Sequence, residues 1–340
     1  MIEILANKSD EFYIAMAKYG SHSFIFAGVK TKNKNHILAR MGKVVYGSFT
    51  DLCGPTLGFT FSSAMAGLID EKIYKEKDRK LPISYLAYSI SPEQYVDFVD
   101  LIQRVEKEEK VEIDCYRPAE QTDTQIKLRL TAEPIELNKK VSEEAENLIG
   151  DAQKANFKNT CRHTAKSIIN YVYHDAHSTD NISSQFFFGL PLKTTLIANG
   201  DELEITRGAE TKRAFLVHPD REMPFYILPA PPSTNLDPVK LKVMNEMFHR
   251  LEKMLHIAPE SKETQDKFAL LKALYNEQIK KSDESLTSFF SNLHQWKNSH
   301  LKEIQVHRAP TFLDRFFTRQ TATEKMFSHF EDYEKTGLGL

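Results

Sequence analysis

The 340-residue chain carries 45 lysines and arginines against 47 aspartates and glutamates, a balance with no basic concentration of the kind that binds nucleic acid. Its longest apolar runs, residues 23–29 and 186–192, fall far short of the ~20 residues that cross a bilayer, and MIEILANKSDEF lacks the basic and apolar regions of a cleaved secretory leader. Three widely spaced cysteines, Cys53, Cys115 and Cys161, argue against a disulfide framework and fit a reducing compartment.

Length favours two domains, or one domain with a large appendage. SHSFIFAGV and NHILARMGKVV read as strands, with His22, Phe24 and Phe26 on one face of the first and His36, Leu38 and Arg40 on one face of the second. KTKNKN between them is a hairpin loop. Residues 51–61, rich in Gly, Thr and Ser, read as loop, and SYLAYSI as a strand. A helix follows over residues 91–107, with Ser91 as N-cap, Pro92 at its first position and Tyr95, Phe98, Ile102 and Val105 as its apolar stripe. VEIDCY reads as a strand holding Cys115, and SEEAENLIGDAQ as a helix. FKNTCRHTAKSIINYV then turns from polar loop into a second amphipathic helix headed by Cys161.

FFFGLPLKTTLI and RAFLV follow, with Phe186, Phe187 and Phe188 expected at a buried strand edge. PAPPSTNLDP excludes regular helix and central strand and marks a boundary, dividing the chain into domains over 1–232 and 238–340. Beyond it the period becomes helical: Leu241, Met244, Phe248, Leu251 and Leu255, then Phe268, Leu271 and Leu274, then Leu286, Phe289, Leu293 and Trp296. These predict an antiparallel bundle, with another short helical piece from Pro310.

Cys161 admits three readings. With Ala165, Ile168, Ile169 and Val172 it shares an apolar helical face, as a core cysteine would. As a metal ligand with His174 it fails on geometry, because a helix over 160–173 would separate the two by roughly 20 Å. As a nucleophile it is well placed, since first-turn amides favour a thiolate and can hold an oxyanion. His22 and His36 are then the candidate bases.

GSHSFIFAGV with His22, NHILARMGK with His36 and AENLIGDAQKANFKNTCRHTAKSII with Cys161 together resemble the circularly permuted branch of the papain-like NlpC-type superfamily, which includes the lecithin:retinol acyltransferase-like proteins. The resemblance covers the first half to two thirds of the chain. It implies an α+β fold, a papain-like domain with an antiparallel sheet and a cysteine-headed helix followed by the α-helical bundle, and a cysteine hydrolase needing no metal or organic cofactor. Cys161 would be the nucleophile, His22 the general base and His36 the group orienting the imidazole. The family often has Asn immediately before Cys, whereas here Thr160 intervenes after Asn159.

The C-terminal part resembles modules of effectors that intracellular bacterial pathogens deliver by type IV secretion. TEKMFSHFEDYEKTGLGL, with Glu324, Glu331, Asp332 and Glu334, is similar to their acidic translocation signals. The expected activity is therefore a protease, isopeptidase or amidase acting on a host protein in the host cytosol through a thioester. The alternatives are a thiol acyltransferase on lipid, a non-catalytic effector binding a host factor through its helices, and a housekeeping cell-wall peptidase.

Overall fold

The computed structural model describes residues 3–32, 34–46, 64–71, 79–131, 134, 143–156, 158–185, 187–207, 210–233, 235–306 and 320–338. The chain separates into two compact units, Met1–Ile227 and Leu228–Leu340. The fold is mixed α+β around a curled antiparallel sheet.

The first unit contains β1 (Glu3–Asn7), β2 (Glu11–Tyr19), β3 (His22–Lys30), β4 (Asn35–Val45), β5 (Ala64–Asp70) and β6 (Arg79–Ser89). After α1 (Pro92–Glu109) come β7 (Cys115–Gln121), β8 (Gln125–Thr131), α2 (Glu143–Ala152) and the short β9 (Lys154–Ala155). α3 (Cys161–Tyr173), β10 (Leu192–Arg207) and β11 (Glu210–Pro219) complete it.

The main strand order is β1-β8-β7-β4-β3-β2-β6-β10-β11. β4 is shared. Its middle pairs with β7 through Ala39 and Cys115, whereas Met41–Val45 pairs with β5 instead. This fork leaves the C-terminal end of β5 across β4 from the start of β3.

β2 and β3 form a tight hairpin in which Tyr19 opposes His22. Gly20, with φ of 57°, supplies the positive dihedral that such a two-residue turn requires. Ile14, Met16, Ile25 and Ala27 are buried in these paired strands. α1 and α3 pack on the sheet, α3 through Ala165, Ile168, Ile169 and Val172. α1 begins with the capping box of Ser91 and Gln94, and Tyr95 donates to the Tyr116 carbonyl at 2.5 Å.

The second unit, described by itself, contains α4 (Pro238–Met254), α5 (Lys262–Lys280), α6 (Leu286–Ser299), α7 (Leu301–Gln305) and α8 (Ala322–Leu338). Asp237, Ser261 and Ser285 cap α4, α5 and α6. Buried lysines join the pieces: Lys267 Nζ donates to the carbonyls of Ile304 and Val306 at 2.6 and 2.8 Å, and Lys240 Nζ to those of Ser282 and Glu284. Among the described residues no helix is long and apolar enough to cross a membrane.

Two expectations change. Phe187 and Phe188 are 60% and 53% exposed, because the chain there is a turn before β10 rather than a strand, and the two rings lie 4.8 Å apart with their planes tilted by 56°. The strand expected over 111–116 starts only at Cys115. Phe186, Cys53, the loop over 51–61 and the helical piece from Pro310 lie outside the described residues.

Candidate active site

Cys161 is the first residue of α3, with Thr160 as its extended N-cap. His163, at the third helical position, takes the part of the usual Glu or Gln in a capping box: its Nδ1 accepts from the Thr160 amide at 3.3 Å and lies 3.0 Å from the Thr160 hydroxyl. The helix start is thereby fixed, and Cys161 is half-buried at its positive end. Its Sγ accepts from the Ser23 amide at 3.3 Å.

His22 opens β3 one residue before Ser23, so the strand that supplies this amide also carries the imidazole. The ring and the Cys161 thiol are near enough to shift each other's protonation. Its Nε2 lies 2.5 Å from Glu71 Oε1.

Glu71 follows the last residue of β5, where the β4–β5 ladder pairs Met41 with Asp70. Its carboxylate crosses the place where a Cβ on Gly42 would lie; such a carbon would overlap Oε1. Gly42 opposes Phe24 on β3, two residues from His22. The missing side chain is thus the passage through which Glu71 reaches the imidazole.

Burial disfavours charge on both Cys161 and His22, but the interactions outweigh it. His22 and the Ser23 amide hold the Cys161 thiol below its ordinary value. The thiol and Glu71 raise His22 to about 10. The arrangement therefore favours a thiolate–imidazolium pair with a carboxylate behind it.

Two buried cations frame this pair. Lys43, 4% exposed, donates to the Lys154 carbonyl at 2.6 Å and to the carbonyl and Oδ1 of Asn159 at 3.1 and 2.9 Å. Burial pushes its ammonium down to about 8, with the Cys161 charge acting in the opposite direction. Asn159 Nδ2 donates to the Asp151 carbonyl at 2.6 Å, so this amide ties the loop before Cys161 to α2. Arg162 donates through Nε to Ser23 Oγ at 3.0 Å and through Nη2 to the Phe188 carbonyl at 2.7 Å, which joins the exposed Phe187–Phe188 turn to the residue after the thiol.

The structure brings Cys161 and His22 together and does not bring His36 to them. His36 opposes Val29 in the β3–β4 ladder, seven residues along β3 from His22, or roughly 24 Å at strand rise. Glu71 occupies the position beside the imidazole for which the resemblance named His36. Lys43 was missed as well. The available signal was Gly42 within a strand pattern, which marks close approach of another group.

Among the described residues no group of three or more His, Cys, Asp or Glu side chains could hold a metal ion. No protein-family model matches the chain, and no curated protein or solved structure matches it.

Proposed function

We propose that the first unit is a papain-like cysteine hydrolase working through a thioester, with the helices of the second unit forming a bundle that orients a protein substrate. The observation that carries this reading is the chain Cys161–His22–Glu71, in which the thiol is held below its ordinary value and the imidazole is raised. The Cys161 thiolate adds to an acyl carbonyl and forms the carbon–sulfur bond. First-turn amides of α3 and the helix's positive end oppose the charge on the carbonyl oxygen. The imidazolium gives its proton to the leaving amine or alcohol as that bond breaks. A water molecule then attacks the thioester, returning its proton to His22, and releases the acid and the thiolate. Glu71 orients the ring and supports its charge.

Lys43 is a positioning residue in this scheme, because it holds the loop from which α3 starts. Incubation with p-nitrophenyl acetate followed by peptide mass mapping tests the reading. Acetyl is expected on Cys161 of the wild type, with only the slow background acylation of amines in Cys161→Ala; absence of acyl-Cys161 with release of p-nitrophenol no faster than from Cys161→Ala would refute it.

The exposed Phe187–Phe188 turn supports a second substrate reading, an apolar acyl group as in lipid acyl transfer. N-alkylmaleimides of increasing chain length should then label Cys161 progressively faster. Phe187→Ser/Phe188→Ser should remove that increment while leaving the rate with N-ethylmaleimide unchanged. A rate independent of chain length in the wild type would return the choice to polar peptide or amide substrates.

A further inference from the structure

At the other end of β3, eight residues from His22 and so ~27 Å away at strand rise, the β3–β4 hairpin holds a feature that the thiol chemistry does not use. The hairpin is pinned by Thr31, whose amide donates to the Lys34 carbonyl at 2.9 Å and whose Oγ1 accepts from the Lys34 amide at 3.2 Å. Lys30, Lys32 and Lys34 are thereby gathered around one short turn. The segment after β11 brings Arg221 to the same place, and a cavity of about 270 Å³ lies between the two.

The charges there are unequal, although the whole chain has a net charge of −2. Four cations line the cavity, and the carboxylate among its walls is Asp220, whose Oδ1 accepts from the Glu222 amide at 3.0 Å. Asn35 lies among the cations. Its Oδ1 accepts from the buried Tyr13 hydroxyl at 2.7 Å, while its buried Nδ2 has no hydrogen-bond partner among the described residues. A Cβ on Gly28 would overlap the Tyr13 ring and hydroxyl, so this glycine is what allows Tyr13 to fix the Asn35 amide. A buried donor without an acceptor costs about 1–3 kcal/mol and calls for a physical reason. Beside four cations, that reason is an anion.

We infer that this hairpin cavity binds a phosphate-bearing ligand. Lysines supply point charges, Arg221 a planar fork and Asn35 a directed N–H, a donor set suited to phosphate oxygens. Phe225, stacked on Tyr85 at 4.7 Å, and Met223 provide an apolar wall. The volume lies just under the roughly 300–1,000 Å³ of pockets for drug-sized ligands. The ligand is therefore a phosphate monoester on a small organic group, either free or at the head of a lipid.

Calorimetric titration of the full chain with glycerol 3-phosphate tests the inference, with sedimentation on phosphatidic acid vesicles as the second arm. Saturable one-to-one binding is expected. It should weaken roughly tenfold for each cation removed in Lys32→Ser and Arg221→Ser. It should be lost in Asn35→Asp, which keeps the acceptor for Tyr13 but replaces the donor with a negative oxygen. Vesicle capture sensitive to the same substitutions and reversed by glycerol 3-phosphate assigns the phosphate to a lipid headgroup; soluble binding without capture assigns it to a free monoester. Cys161 alkylation should be the same in all these variants, so the outcome does not depend on the thiol chemistry. Absence of saturable binding in both arms, or binding that Lys32→Ser and Arg221→Ser leave unchanged, would overturn the inference.

Discussion

At the scale of the residue, Cys161 and His22 were legible because their signals are local: a polar N-cap before an apolar helical stripe, and a histidine at the head of an alternating strand. Their interaction predicts a modest but measurable effect. A free thiol near pKa 8.5 is about 0.3% thiolate at pH 6. Since nucleophilicity falls as pKa falls, the lowered thiol should alkylate at most roughly tenfold faster there. His22→Ala should lose that advantage at Cys161. Glu71→Gln should lose part of it, and Gly42→Ala, by displacing the carboxylate, should reproduce Glu71→Gln; a wild-type rate in Gly42→Ala would show that Glu71 does not act through this passage. Glu71 itself was not legible, because its meeting with His22 across 49 residues depends on how β4 divides its pairing between β7 and β5. The linkage signs follow from the two shifts. The raised His22 contributes stability that is complete below its unfolded pKa and is lost as pH rises through about 10. The lowered Cys161 contributes stability that is present above its unfolded pKa and is lost as pH falls through its folded value.

At the scale of the element, helix existence was the most legible feature, because capping residues and stripes of spacing three and four act within one turn. α1, α2 and α3 fall close to where their sequences place them. β2 was missed, although the Tyr-Gly-Ser-His turn carried its hairpin signal. Tertiary contacts then set the energetics. Arg117 on β7 is fully buried, and its Nη2 donates to both oxygens of Glu106 on α1, at 2.8 and 2.7 Å. Removing one partner of such a pair leaves an uncompensated buried charge, so Glu106→Ala should destabilise the fold by about 3–5 kcal/mol in chemical denaturation. A loss below about 1 kcal/mol would place the pair with solvent-screened surface bridges. Lys43 works between elements. Lys43→Met should speed amide hydrogen exchange over residues 154–160 and slow Cys161 alkylation while leaving exchange in α1 unchanged; unchanged exchange over 154–160 would remove its positioning role.

At the scale of the whole molecule, the sequence changes period at the proline-rich segment, and the division into compact units falls between Ile227 and Leu228. The acidic residues of the last helix have roles within their own unit. Glu331 pairs with Lys297 at 2.6 Å, Glu334 with His294 at 2.7 Å, and Glu324 accepts from the Thr321 amide at 2.6 Å. Composition could not reveal these partners, since an acidic run reads the same whether solvated or paired. The central claim concerns the other unit, and Cys115 provides an internal reference for it, because burial pushes that thiol up to about 12. The most direct test is the rate of iodoacetamide labelling as a function of pH, mapped by peptide to Cys161 and Cys115 in the reduced wild-type protein and in His22→Ala. The account predicts selective labelling of Cys161 near pH 6, with the acidic limb of its profile moved to higher pH when His22 is removed. Labelling of Cys161 no faster than Cys115, or a profile that His22→Ala leaves unchanged, would contradict it.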